Sequence, residues 1–400
     1  MFEDGTDYGA VVRDRREAMN WTRKLLAAEY GRALGEDIQE STIRAYEQHN
    51  LLPTKHLNRR AILAGLLGLA PMALGLAVPP KVMPRLVVPE VVVDAAIDVA
   101  EYRSTLACYW QQGAYGAMED VLWRMGCLHN QVLYVPRTEQ QEMFRLLCGF
   151  NSLAGRTLND LGFYRAADSY HANAIRLAIE KNQYDLEGFA RWRRASELGD
   201  RGKHDVALQH LRRAKALEKK LPGPLNGYIT SMLSMERAHT AQDKADFAEA
   251  IAFADEAEQT IGEQIEFNAN QLRFDRVRHV LNLSWTFVAP ARQSLHLPNE
   301  AIRLVETEVP FFDERRFAQV RQSFCTLIQA RAYIDKGEYG YGAALLIDVA
   351  ALMEELHSTG LLPDVEDLYH RLKETNYQYS VEVARLSLAL TRVKYPKLFN

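Results

Sequence analysis

Gln39, Glu40, Ser41, Arg44 and Ala45 fall within ten residues, QESTIRAYEQ, and carry side chains able to read base edges. Arginine donates twice to guanine, glutamate accepts from the cytosine amine, and an alanine methyl meets that of thymine. Serine and glutamine reach base or phosphate. At helical spacing, positions 40, 41, 44 and 45 crowd onto neighbouring parts of one surface, so one rigid helix can carry them into a major groove. The same residues are also compatible with a solvated face on which Glu40 partners the helix start. Arg23 stands where a second helix begins. It can position a phosphate together with the backbone donors there.

The elements that would hold these residues are short. The stretch VVRDRREAMNWTRKLLAAEY predicts a first helix over 11–19 and a second over 23–30, with Thr22 as cap. Leu25, Leu26 and Ala28 give the second helix a buried side, and the small Ala28 would allow another helix to cross closely. A third helix is predicted over 39–48, with Ile43 and Tyr46 packing inward together. Glu47 should support the fold through Arg13, Arg15 or Arg16 rather than meet an anionic duplex. Residues 8–60 hold ten Lys or Arg and seven Asp or Glu, a formal +3, while the whole chain carries -4. A mildly basic head on an acidic chain suits a compact duplex contact better than wrapping.

This order of residues resembles the Xre/Cro-like helix-turn-helix family of transcriptional regulators, through TRKLLAAEYG (22–31) and QESTIRAYEQ (39–48). The resemblance implies that Ile43 and Glu47 form the family's Ile-x-x-x-Glu arrangement. It also implies that Glu40, Ser41, Arg44 and Ala45 occupy base-contact positions, and that Arg23 takes the phosphate-positioning place where glutamine is common. Two departures stand out: the turn between the second and third helices is about five residues longer than usual, and His49-Asn50 replaces the frequent glycine exit.

Beyond the head, residues 61–80 (AILAGLLGLAPMALGLAVPP) carry no charge for 20 positions and follow Asn58-Arg59-Arg60. Their glycines and prolines predict a short buried or dimerising helix plus a linker. The near-spanning length leaves a membrane-associated sensor using residues 61–78 as an alternative. The polar, acidic N-terminal stretch is not expected to be a secretory leader. The Val-rich stretch MPRLVVPEVVVDAAID is expected to be an extended connector into helix.

Long apolar-periodic segments then alternate with short turns, which predicts an all-α body. Small or apolar residues recur at offsets 0, 4 and 7: Ala166/Tyr170/Asn173, Ala207/Leu211/Ala214, Ala250/Ala254/Ala257 and, degenerately, Gly342/Leu346/Val349. Each set follows a pair 12 and 9 residues earlier: Ala154/Thr157, Ala195/Leu198, Ala238/Ala241 and Ala330/Tyr333. The pattern resembles the tetratricopeptide-repeat family, with start-to-start spacing of 41 to 43 for the clearer sets against about 34 in that repeat. Pro290, Pro298 and Pro310 are expected to interrupt or bend the stack. Asn151, Arg191, Arg194, Asn226, Asn268, Asn270, Arg273 and Arg278 are candidates for lining a peptide or small-ligand surface. Trp110, Trp123, Trp192 and Trp285 are expected to be packing anchors.

Catalytic motifs are missing from this reading. The sequence contains no GxxxxGK[ST] phosphate loop and no HExxH pair. His129, His171, His204, His210 and His239 are scattered. Cys108, Cys127, Cys148 and Cys325 form no CxxC, which suits a reducing cytoplasm and core packing. The expectation is therefore a cytoplasmic, non-enzymatic regulator with no metal or cofactor. Its domains would be a helix-turn-helix head (1–60), an apolar helix and linker (61–90), and a tetratricopeptide-like sensor and oligomerisation body (91–400). Expected partners are double-stranded DNA, a second copy in a homodimer, and a signalling peptide or protein; membrane association is not expected. A protein-interaction scaffold is the other alternative.

Overall fold

Apolar residues at three- and four-residue spacing fix helices throughout, and the computed structural model is all-α. It describes residues 6–53, 56–77, 97–112, 114–261, 274–290, 292–309, 316–356 and 358–399, among which there is no strand. Two compact units emerge, one of residues 1–81 with 321–400 and one of residues 82–320.

The first unit contains α1 (Tyr8–Ala18), α2 (Arg23–Leu34), α3 (Glu40–His49) and α4 (Leu57–Leu66). It also contains most of α15 (Arg316–Asp335), then α16 (Tyr339–Glu355), α17 (Leu362–Lys373) and α18 (Val381–Lys394). Val12, Leu26, Tyr30, Ile43, Leu63 and Leu66 share one core with Ala384 and Leu388. The end of the chain thus packs with the N-terminal helices. The uncharged run from residue 61 explains why. α4 buries every residue from Arg60 to Leu66, and it lies so close to α18 that a Cβ on Gly65 would fall 3.0 Å from the Leu388 Cα. No helix of the described residues is long and apolar enough to cross a membrane. Polar ties reinforce the packing. Trp21 Nε1 donates to the Tyr379 carbonyl at 2.9 Å, and Arg385 grips both oxygens of Glu29 at 2.8 and 2.9 Å.

The second unit comprises α5 (Val99–Gln112), α6 (Met118–Gln131), α7 (Arg137–Asp160), α8 (Tyr164–Glu180), α9 (Tyr184–Asp200) and α10 (His204–Lys215). It continues with α11 (Gly223–Thr240), α12 (Lys244–Glu258), α13 (Arg276–Val288) and α14 (Pro298–Glu308). Helices pair as α7/α8, α9/α10, α11/α12 and α13/α14, and α7, α9, α11 and α13 touch in succession. Pro290 and Pro298 do not break this order: α13 runs to Val288, and Pro298 opens α14 at its first turn, where a missing N–H costs nothing; Pro310 lies outside the described residues.

The pairing explains the small-residue pattern and corrects one of its sets. Ala207/Leu211/Ala214 and Ala250/Ala254/Ala257 are buried. In α8 the buried set is Ala167, His171 and Ala174, while Asn173 faces solvent. The first set is therefore one residue further along than the sequence pattern suggested. The turn chemistry marks the correct register. Gly162, Gly202 and Gly337 take left-handed φ values of 79°, 69° and 82°, a conformation that glycine adopts without steric cost. Each stands five residues before Ala167, Ala207 and Gly342 respectively. Ala28 also departs from expectation, being exposed while Leu26 and Ala27 are buried. Trp123 is 40% exposed, so of the four expected anchors Trp110, Trp192 and Trp285 are buried. The Val-rich connector lies outside the described residues.

Candidate nucleic-acid interface

The third helix of the head is amphipathic in the sense its sequence demands. Ile43, Tyr46 and Glu47 are buried, whereas Gln39, Glu40, Ser41 and Arg44 are exposed and Ala45 is half-buried. The structure therefore brings the five sequence candidates together at the start and outer face of α3. Thr22 caps α2 by accepting from the Leu25 N–H at 3.1 Å. The lengthened turn shrinks because α2 continues to Leu34, leaving residues 35–39 as the connection. Asn50 replaces the glycine exit without strain of a bulkier kind: it closes α3 at φ 52°, and asparagine is the residue after glycine that best tolerates this region. Its side chain then accepts from the Gly9 N–H at 3.0 Å, locking α3 to the start of α1.

Glu47 is the electrostatic centre of the head. Its carboxylate accepts from Arg16 Nε at 2.6 Å and Nη2 at 3.2 Å, and from Arg23 Nε at 2.6 Å. Arg16 also donates to the Trp21 carbonyl at 2.8 Å. Burial by itself would raise the Glu47 carboxyl above its ordinary value. The hydrogen bonds and charges of Arg16 and Arg23 outweigh that burial and hold it low. Of the three arginines expected to support Glu47, only Arg16 does so. Arg13 pairs with Asp14, and Arg15 Nε donates to the Leu67 carbonyl at 2.7 Å.

The basic surplus of the head is accordingly spent in part on its own carboxylates. Arg44 meets Glu40 at 3.3 Å across one helical turn, and Arg59 meets Glu36 at 2.6 Å. Both Arg44 and Glu40 remain about half exposed, so their pairing is weak and readily exchanged for a ligand. Arg23 is more constrained. One edge of its guanidinium is committed to Glu47, and the side chain stays 29% exposed.

The described candidates for a ligand surface on the body stand in different surroundings. Asn151 is buried, and its Nδ2 donates to the Leu147 carbonyl at 2.8 Å within α7. Arg191 is buried beside Glu187 at 2.7 Å within α9. Asn226 accepts from Lys215 at 3.4 Å. Arg194 lies with Arg191 and Arg213 around His210, where burial and these charges push the imidazole down to about 4. Arg278 lies elsewhere, over the Tyr228 ring. Asn268, Asn270 and Arg273 lie outside the described residues.

Two further features mark the body. Arg193 shares one face of α9 with Phe189, four residues earlier, and stacks against Trp110 and Trp192; that spacing of an aromatic and a cation was the available signal. His204 and His239 stack at 3.8 Å, and His204 Nδ1 lies 2.9 Å from buried Glu236. Among the described residues, no group of three His, Cys, Asp or Glu is placed to hold a metal ion. Comparison with protein-family models, with curated proteins and with solved structures finds no match to this chain.

Proposed function

We propose that the protein is a sequence-specific DNA-binding transcriptional regulator. In this reading α1–α3 form a helix-turn-helix head of the Xre/Cro-like kind, and the paired helices of the body form a tetratricopeptide-like module for dimerisation and ligand sensing. The observation that carries the reading is the division of α3. Its inner face is pinned by Ile43, Tyr46 and Glu47, and its outer face offers Glu40, Ser41 and Arg44 side by side. A recognition helix needs this combination, because base readout depends on a rigid scaffold behind short polar side chains.

Arg44 would bridge a guanine edge after leaving Glu40, Ser41 and Gln39 would reach base or phosphate, and Ala45 would meet a thymine methyl. Arg23 would touch phosphate with the guanidinium edge that Glu47 leaves open. A homodimer would place two heads on half-sites about 34–36 Å apart. A ligand on the body would act by favouring one spacing of the heads over another.

The scaffold reading draws on one observation of its own. The Glu40–Arg44 and Arg59–Glu36 pairs neutralise the exposed charge that a duplex would otherwise attract. Selection of bound duplexes from a random pool by the full-length protein separates the two. Enrichment of a paired motif is the outcome expected for a regulator. A folded protein that enriches nothing, and yet forms a stable complex with another polypeptide through α3, would favour the scaffold.

A further inference from the structure

Arginine guanidinium groups that are withdrawn from solvent ordinarily meet a carboxylate or a carbonyl, because an unpaired charge in a poorly hydrated place is costly. On one face of the second unit Arg193 and Arg278 depart from this rule, each with a buried Nε that has no hydrogen-bond partner. Arg193 packs its guanidinium over Trp192 at 4.6 Å and over Trp110 at 5.0 Å. Arg156 also lies over the Trp110 ring, at 5.4 Å, and Arg278 stands 5.7 Å from the Tyr228 ring. Tyr228 in turn touches Trp192 at 4.9 Å, so the three arginines surround one continuous aromatic patch built from α5, α7, α9, α11 and α13.

The acids near them balance these charges only in part. Arg156 has only Asp160, at 3.9 Å, and neither Arg193 nor Arg278 has a carboxylate within ion-pair distance among the described residues. Glu197, whose charge does reach Arg193, is held by buried His171 through one oxygen at 2.7 Å, and its other oxygen makes no hydrogen bond to Arg193. Polar donors around the patch are also left over. The Nε atoms of Arg193 and Arg278 and the indole N–H groups of Trp110 and Trp192 are buried without a hydrogen-bond partner. The two tryptophans are 5% and 2% exposed. Burial and the like charges of Arg156 and Arg278 push the Arg193 guanidinium down to about 9, which still leaves it charged at neutral pH. Four unsatisfied donors, three cations and flat aromatic walls together describe a surface short of one anion.

We propose that this face binds an oxyanion, a carboxylate or a phosphate carried by a small ligand, held by Arg193 with Arg156 and Arg278 and flanked by Trp110, Trp192 and Tyr228. Arginine suits either group, since its planar fork donates two parallel hydrogen bonds to carboxylate and phosphate alike. The aromatic rings would pack the ligand body beside the anion. This inference gives chemistry to the sensing role proposed for the body and rests on that role. Its test involves no DNA, so it succeeds or fails separately from duplex recognition.

Full-length protein is titrated with inorganic phosphate, with pyrophosphate and with benzoate at constant ionic strength set by chloride, following thermal midpoint and tryptophan fluorescence. At least one probe should raise the midpoint saturably. Saturation by the phosphates alone identifies a phosphate-bearing ligand, and saturation by benzoate alone a carboxylate-bearing one. Arg193→Met should weaken that binding at least tenfold while its anion-free midpoint equals or exceeds that of the parent, because an uncompensated charge has been removed. Should Arg193→Met fail to fold, Arg278→Gln carries the same test, with at least several-fold weaker binding expected. The proposal is overturned if no probe saturates, or if the folded variant binds the probe as tightly as the parent.

Discussion

Arg16 in the first unit and Arg193 in the second are both largely withdrawn from water, but their surroundings differ in kind. Arg16 meets both oxygens of Glu47 and the Trp21 carbonyl, and Glu47 shares itself with Arg23. Arg193 packs on aromatic rings, is repelled by two further arginines and feels the favourable charge of Glu197 with no ion pair to it. A satisfied buried network fixes geometry, because each member's loss strands the others. An unsatisfied one holds interaction energy in reserve for something that arrives later. The head is thus organised for rigidity, and the aromatic face of the body is where binding is proposed.

The contrast is broken most severely at Glu47. Glu47→Gln strands two guanidinium groups inside the head and should lower the stability of the first unit by about 3 kcal/mol, read from the urea midpoint. A loss under about 1 kcal/mol would show that the network is ornamental. The same group sets an acid limb. Its carboxyl titrates below the ordinary 4.5 in the folded head, so the unfolded chain binds the proton more tightly. The contribution is therefore complete above about pH 4.5 and disappears as the pH falls through the lower folded value. Glu47→Gln should flatten that part of the stability profile, and an unchanged acid limb would assign it to other carboxylates.

Smaller changes sharpen the boundary of the rigid region. Arg385→Ala leaves buried Glu29 with Arg32 alone and should cost about 2 kcal/mol, destabilising α2 although residue 385 is far away in sequence. Protection of α2 amides against hydrogen exchange reads this directly. Thr22→Ala removes the cap of α2 and should cost about 1 kcal/mol in the same urea titration. Arg44→Ala should change stability by less than about 0.5 kcal/mol, since its partner is exposed and one helical turn away.

Local periodicity made much of this structure legible. Thr22, Ile43, Tyr46 and the inward role of Glu47 follow from capping and helical spacing, and the repeated Ala207 and Ala250 sets follow from the needs of crossing helices. What stayed hidden depends on contacts between distant positions. Nothing near Leu63 announces that its burying surface comes from α18, because an apolar run has the same composition whether it packs on a helix, another copy or lipid. The one-residue offset at Ala167 arose because Ala166 is also small, so composition alone could not set the register; Gly162 could. Arg193 escaped notice because a cation on a helix looks solvated until the aromatic residues of neighbouring helices are placed around it.

The central claim, that the outer face of α3 reads bases, is tested most directly by Arg44→Ala in the full-length protein. Binding is measured on a selected duplex and on an unrelated duplex across a range of salt. Base readout by Arg44 should appear as a loss of about 1–3 kcal/mol on the selected duplex only, with the salt dependence preserved. An equal loss on both duplexes, with a shallower salt slope, would make Arg44 a phosphate contact and contradict the claim, as would unchanged binding to the selected duplex.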